Sequence, residues 1–385
     1  MTSFADIDPQ DIKLDCRFYS GYKPCHRHDG CPGCPVYEPR GTEILIVKLG
    51  AMGDVLRTKS LLPGLKALHP QSWITWITAP GSEPIVRDPR VSEIRTFTPA
   101  GLAALEGRRF DLMLCLDKDA HAVALARGVD ATRKLGFAPT PFNTITVWNE
   151  ASAYALRLGL SDDLKYRINR KTVPEILYEM AELPYGGQAY ELTLSQEARD
   201  RAGERLAGVG LPQGRPIVGL NTGCGPVFAT KAWTAAGFAD LIARLASDPE
   251  GPSVLLLGGP RERELNAEIA QAVSGKAGVG GRLFDAGTDN DLETFFALIE
   301  RCAAVVSADS LAMHVAVALR VPVVAFFGPT SAQEIDLFGR GEKIVTDYAC
   351  APCYLKSCNV KPRCLTVMEA AEVEAALRRV MAGVG

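Results

Sequence analysis

GTEILIVKLGAMGDVLRTKSLLPGLKAL, residues 41–68, decides the fold. Within it, EILIVKL (43–49) is short, rich in branched apolar residues and bounded by glycine on both sides. That is how a strand buried on both faces of a parallel sheet reads. GAMGD follows, and a helical period then runs over 54–69, carried by Val55, Leu56, Leu61, Leu62, Leu65 and Leu68. Outward from this unit, WITWITA (73–79) is a second strand. DLMLCLD (111–117) is a third, ahead of an Ala/Leu-rich helix at 119–127. Strands alternating with helices imply an α/β fold with a doubly wound parallel sheet.

The stretch 141–195 breaks the rhythm. WNEASAYALRLGL and KTVPEILYEMAEL within it both read as helical, and ELPYGGQAYEL (182–192), with Pro and paired Gly, reads as an interdomain linker. The alternation then restarts. Strands are expected at 216–223, 253–259, 303–309 and 321–328, with helices at 195–210, 232–247, 262–275, 291–302 and 310–320, and a last amphipathic helix in 367–383. A chain of 385 residues also exceeds the roughly 250–300 residues at which single cores stop growing. We therefore divide it into a cysteine-rich extension (1–40), a first α/β domain (41–185), a second (186–365) and a closing helix (366–385).

Hydrophobic residues at 47% and charged residues at 23% are the balance of a soluble globular protein. A net charge of −3 argues against bulk binding of nucleic acid. No apolar run reaches the roughly 18–20 residues of a membrane span. The first residues, MTSFADIDPQDIKLDC, lack a basic-then-apolar signal pattern. The expected location is the cytoplasm, with peripheral contact at the inner face of the membrane left open.

Three segments carry polar chemistry at expected strand ends. In KLGAMGDVLRTKSLLP (48–63), Gly50 and Gly53 sit where strand turns into helix and let a ligand approach the backbone. The spacing is neither GxGxxG nor GxxxxGK[ST], so no nicotinamide or ATPase reading has an anchor. Asp54 opens the helix and reads either as a functional carboxylate or as an N-cap. NTGCGPVFATKAW (221–233) offers Thr222, Gly223, Gly225, Thr230 and Lys231, which suit a diphosphate or else form a solvated loop. In ADSLAMHVAVALRVPVVAFFGPTSAQEIDLFG (308–339), Asp309, Ser310 and His314 gather at one strand end and Gly328-Pro329-Thr330 at the next. Taken alone, Asp309 and Ser310 read equally as caps and His314 as a core residue.

Together these segments resemble glycosyltransferase family 9, the ADP-heptose:lipopolysaccharide heptosyltransferases. The likeness covers residues 43–365 through the ordered set KxxxMGDVL, NTG…KxW, LLGGPxE, DSxxMHxA and FGPT. It implies a GT-B fold, two Rossmann-like domains facing a central cleft, with the closing helix (366–385) returning to pack on the first domain, and inverting transfer of a sugar from a nucleotide diphosphate. The implied donor is an ADP-linked heptose, and the acceptor a glycan, glycolipid or protein hydroxyl. By the same resemblance Asp54 is the catalytic base. Thr222, Gly223 and Lys231 are donor-phosphate contacts, Glu262 holds the ribose and Asn290 lies near the base. Asp309, Ser310, His314, Gly328 and Thr330 belong to the donor-sugar and phosphate site. Lys48, Arg57 and Arg133 are acceptor-side candidates, with plain surface charge as the other reading of Arg57 and Arg133. No catalytic metal is implied.

The chain departs from the family pattern at Leu311, where glycine is usual, and at Asp117 and Asp119, where a neutral loop is typical. A non-catalytic sugar-nucleotide or metal-binding protein and a UDP-sugar epimerase, both of GT-B shape, are the competing functions.

Eight of eleven cysteines cluster. Cys350, Cys353, Cys358 and Cys364 fall within one short loop and suit tetrahedral Zn or Fe. Cys16, Cys25, Cys31 and Cys34 are more loosely spaced, with His26 and His28 as substitute ligands. A structural zinc or iron site, an iron–sulfur cluster, one shared site or two separate ones, and free thiols all stay open. The autotransporter heptosyltransferases of this family resemble the chain in carrying a C-terminal iron-binding cysteine finger.

Overall fold

The structure, a computed structural model, describes residues 8–225 and 228–383. Residues 1–7 of the extension, Pro226 and Val227 in the 221–233 segment, and the last two residues of the closing segment lie outside it.

Two six-stranded sheets form the frame. The first comprises β1 (Thr42–Val47), β2 (Ser72–Thr78), β3 (Glu93–Thr96), β4 (Arg109–Cys115), β5 (Asp130–Pro139) and β6 (Ile145–Val147), in the order β3-β2-β1-β4-β5-β6. All its pairings are parallel except β5 with β6. The second comprises β7 (Ile217–Asn221), β8 (Ser253–Leu257), β9 (Leu283–Asp285), β10 (Ala304–Ala308), β11 (Val323–Phe327) and β12 (Gly341–Val345), in the order β12-β11-β10-β7-β8-β9, all parallel. The central strands are apolar because both faces are covered by helices: β8, β10 and β11 are buried along their whole length. In each sheet the winding reverses between two neighbours, β1/β4 and β7/β10. The crevice at the carboxyl ends of such strands is where doubly wound sheets bind ligands. The expected α/β, two-domain GT-B arrangement is the one observed.

The helix expected over 54–69 is two helices, α1 (Met52–Thr58) and α2 (Leu61–Leu68). Pro63 has no N–H to bond the carbonyl of residue 59, so the ladder breaks there. The break lets Lys59 turn inward, fully buried, with Nζ 2.9 Å from the Arg87 carbonyl and 3.5 Å from Asp88.

The closing helix, Ala370–Met381, corrects an expectation drawn from the resemblance, that it returns to the first domain. Its stripe Ala370, Val373, Ala376, Leu377 and Val380 is buried in the core of the second domain, against the helix Ala235–Ser247 and β10–β12. The cysteine-rich extension lies at the amino edge of the first sheet. There Cys16 bridges to Pro39, and Arg40 stacks 4.2 Å over the Trp73 ring.

Contacts across the halves are specific. Val173 N–H donates to the Glu334 carbonyl at 3.0 Å. Arg87 pairs with Glu293 at 2.6 Å, and Arg320 with Glu191 of the linker at 2.8 Å.

Candidate active site

The carboxyl end of β1 delivers the first group. Asp117, at the neighbouring end of β4, accepts hydrogen bonds from the N–H groups of Leu49 (2.9 Å) and Gly50 (3.0 Å) and lies 3.5 Å from Lys48 Nζ. It therefore shapes the loop that leads into α1. Asp119 caps the next helix through the N–H groups of His121 and Ala122. Neither extra acid is a free charge in the cleft.

Asp54 stands in the first turn of α1, not at its N-cap, which is Ala51 and offers no side-chain bond. The Asp54 carboxylate instead pairs with Arg57 on the same face of the helix. Burial opposes its charge, but Arg57 and then Lys48 outweigh that and hold the carboxyl at about 2. Asp54 is thus an anion across the physiological range.

The carboxyl ends of β7 and β10 deliver the second group. Asn221 Nδ2 donates to the Gly223 carbonyl (2.6 Å), Ser307 Oγ (3.1 Å) and Ser310 Oγ (3.2 Å). The Ser310 hydroxyl is thereby drawn to the sheet and caps nothing, contrary to the capping reading of the sequence. The first amides of the helix Leu311–Ala318 are left without a side-chain acceptor, an arrangement suited to an anion. Lys231 Nζ donates to the Asp309 carbonyl and lies 3.7 Å from the Asp309 carboxylate.

The two groups meet. Gly53 of α1 sits so close to the 311–318 helix that a Cβ on it would lie 2.7 Å from His314 Cδ2. His314 is 4% exposed, its Nδ1 is 3.1 Å from the Tyr190 hydroxyl, and its Nε2 is 3.9 Å from Asp309. Burial, and then Arg57, push its imidazole down to about 3 against the pull of Asp309 and Asp54, so the ring is neutral at physiological pH. A carboxylate from the first domain, a histidine and lysine from the second, and a tyrosine from the linker thus share one site.

Several expected residues are placed otherwise. The Thr222 hydroxyl is buried and spent on the Leu257 carbonyl and Asn266 (2.6 Å), stitching β7 to β8. Glu262 lies against Gly223 and accepts from Gly259 N–H at 2.9 Å. The Asn290 amide closes its own loop onto the Ala286 and Gly287 carbonyls and accepts from Arg205, and no contact ties it to the cluster among the described residues. Arg133 pairs with Glu182 on an exposed surface and takes no part in the cluster. Gly328 packs on Cys364, and Thr330 keeps a buried hydroxyl with no partner among the described residues. Tyr190 and Glu334 were not legible. The Glu334 carboxyl, pushed up by burial against the pull of Lys165 and Arg57, accepts from the Tyr354 hydroxyl at 3.1 Å.

Cys350, Cys353, Cys358 and Cys364 line one cavity of about 20 Å³ beside Thr230 and Pro329. Cys353 N–H donates to the Pro329 carbonyl at 3.0 Å, so this loop is docked on the FGPT turn. None of the extension's four cysteines is among the residues that line this cavity. Among the described residues, no three Cys, His, Asp or Glu side chains stand in a ready metal-ligating arrangement.

A family model described as glycosyltransferase family 9 (heptosyltransferase) matches residues 102–363. Lipopolysaccharide heptosyltransferase 2 of Salmonella typhimurium is 29% identical over 310 residues, covering 75% of this chain and 83% of the relative. The solved ADP-heptose LPS heptosyltransferase II of Escherichia coli superposes with a TM-score of 0.65 at 21% identity, over 89% of this chain and 99% of that one. The iron-containing dodecameric glycosyltransferase TibC of enterotoxigenic E. coli has a TM-score of 0.51 at 14% identity, over 90% and 78%.

Proposed function

The chain belongs to glycosyltransferase family 9, and from that premise we propose that it transfers a heptose from ADP-heptose to a hydroxyl of a lipopolysaccharide-type acceptor with inversion at the anomeric carbon. The observation that carries this reading is the seating of Gly53 on His314. It seats α1, which carries Asp54, on the helix of the other domain whose start is uncapped, and the His314 ring there feels both Asp54 and Lys231.

The chemistry follows from those placements. A diphosphate at the 311–318 helix start and Lys231 has its growing negative charge stabilised as the sugar departs. The acceptor hydroxyl, approaching from the α1 side, gives its proton to Asp54 while its oxygen attacks the anomeric carbon opposite the leaving group. One base suffices, and no enzyme-bound sugar intermediate forms. Neutral His314, fixed by Tyr190, donates or accepts a hydrogen bond without competing for the proton.

Asp54→Asn is the test. ADP should stabilise the variant against heat as it does the wild type, since the donor contacts lie in the other domain. Transfer should fall by roughly 10²–10⁴-fold, the usual weight of a general base. Turnover at the wild-type rate removes Asp54 as base.

We also propose that Cys350, Cys353, Cys358 and Cys364 hold one structural zinc or iron ion. Supporting this, the four cysteines line a single small cavity, and the neighbouring cysteines add to burial in pushing the Cys364 thiol up, a cost that a bound cation reverses. Metal analysis of purified protein should find about one ion per chain, lost in Cys353→Ser; metal-free folded protein refutes it. Cytoplasmic residence and peripheral membrane contact belong to the same reading. In the first domain, exposed Phe142 and Leu160 are the places to test the latter by vesicle sedimentation.

A further inference from the structure

Arg57 is a cation of the site with buried donors left without a partner among the described residues. Its Nη2 pairs with Asp54, but its Nε–H and Nη1–H groups are buried and meet no acceptor among the described residues. A buried guanidinium donor without a partner is costly, and a guanidinium is shaped for a carboxylate or phosphate. Asp309 and Glu334 lie near enough to be felt, yet neither pairs with it.

Arg57 is on α1, one turn beyond Asp54 and on the same face, whereas the groups suited to the donor diphosphate are Lys231 and the 311–318 helix start. The anion that completes Arg57 therefore enters from the acceptor side. Until it does, the guanidinium is committed to the carboxylate that has to accept a proton. We propose that Arg57 is the receptor for an oxyanion carried by the acceptor, a carboxylate or phosphate close to the attacking hydroxyl, and that this second anion, by sharing the guanidinium's charge, loosens its hold on Asp54 so that Asp54 can act as base. This rests on the transferase reading above and adds to it a selection for acidic acceptors, with substrate recognition and base release joined in one side chain.

The test uses the full chain saturated with ADP, titrated with inorganic phosphate and followed through the Arg57 Nε–H resonance, assigned by its loss in Arg57→Lys. A saturable shift is expected in wild type; by calorimetry, phosphate affinity should be about ten-fold or more weaker in Arg57→Lys and Arg57→Gln while ADP affinity is kept. No shift overturns the proposal. A shift seen only without ADP assigns the site to the donor diphosphate and also overturns it. In parallel, hydrolysis of the donor by water should rise in Arg57→Gln, because Asp54 is no longer held, and an unchanged or lower rate refutes the release step. Should Arg57→Gln fail to fold, the phosphate arm is decided by Arg57→Lys and hydrolysis is read instead in wild type with and without phosphate, where phosphate should raise it. Failure of ADP to bind wild type would instead count against the transferase reading itself.

Discussion

Gly53→Ala perturbs the meeting of the two domains at a single methyl group. The added Cβ would stand 2.7 Å from His314 Cδ2 and 3.4 Å from Nε2. Carbon atoms in contact prefer about 3.5–4.0 Å, so α1 and the 311–318 helix must part by roughly 1 Å. His314 cannot swing aside easily, being buried and held by Tyr190. Folding of α1 itself does not suffer, since alanine in a helix is favoured over glycine by about 1 kcal/mol. The cost falls on the alignment of Asp54 with the donor, where a displacement near 1 Å is worth on the order of 10²-fold in rate. Steady-state ADP release should therefore show a large fall in kcat, while calorimetric ADP affinity stays at the wild-type value. An unchanged kcat would mean that this approach is not the reacting geometry. A loss of ADP affinity matching the loss of kcat would mean that the substitution acts through the donor site alone.

Lys231→Met should weaken ADP binding by about 10–150-fold, the equivalent of a charged hydrogen bond, as measured by calorimetry. Lys59→Met should raise the urea midpoint at pH 7. Burial holds Lys59 at about 8 despite Asp88, so its charge costs stability below pH 8, and the cost fades between pH 8 and its unfolded value of about 10.4. Asp88 keeps Arg90 at 2.7 and 2.8 Å, so no orphaned charge results, and a gain of about 1–3 kcal/mol is expected. A lower midpoint would show that Asp88 depends on Lys59. His314, at about 3 when folded and about 6.5 when unfolded, is protonated first in the unfolded chain. Stability should fall as pH drops from 6.5 toward 3 and be level above that range, and His314→Asn should flatten the acid branch in denaturation at pH 4.5 against pH 7.

The frame was legible wherever burial leaves one pattern. β1, β8, β10 and β11 are largely apolar runs ending in glycine or a small polar residue, and the ends of β1 and β10 carry the clustered groups. Strand β5 was missed because its first half is polar and only its second half is buried, so no single period marks it. Asp54, Lys231 and His314 were found through their ordered motifs, while their bonding was not. Thr222 and Asn290 carry the right atoms for a ligand, yet Asn266, Arg205 and backbone carbonyls take them. Those partners come from segments brought near only by folding, as does Tyr190, 124 residues from His314. A tyrosine in a glycine-rich linker gives no local signal of that partnership. The closing helix misled in the same way, since an amphipathic stripe states that a face is buried but not against which domain.

A crystal structure with ADP-heptose or a non-transferable analogue examines the two-domain site most directly. The diphosphate should lie between Lys231 Nζ and the first amides of the 311–318 helix, with the anomeric carbon turned toward Asp54 and space for a hydroxyl between them. ADP bound elsewhere, or an anomeric carbon facing away from α1 with the domains closed, would contradict the mechanism.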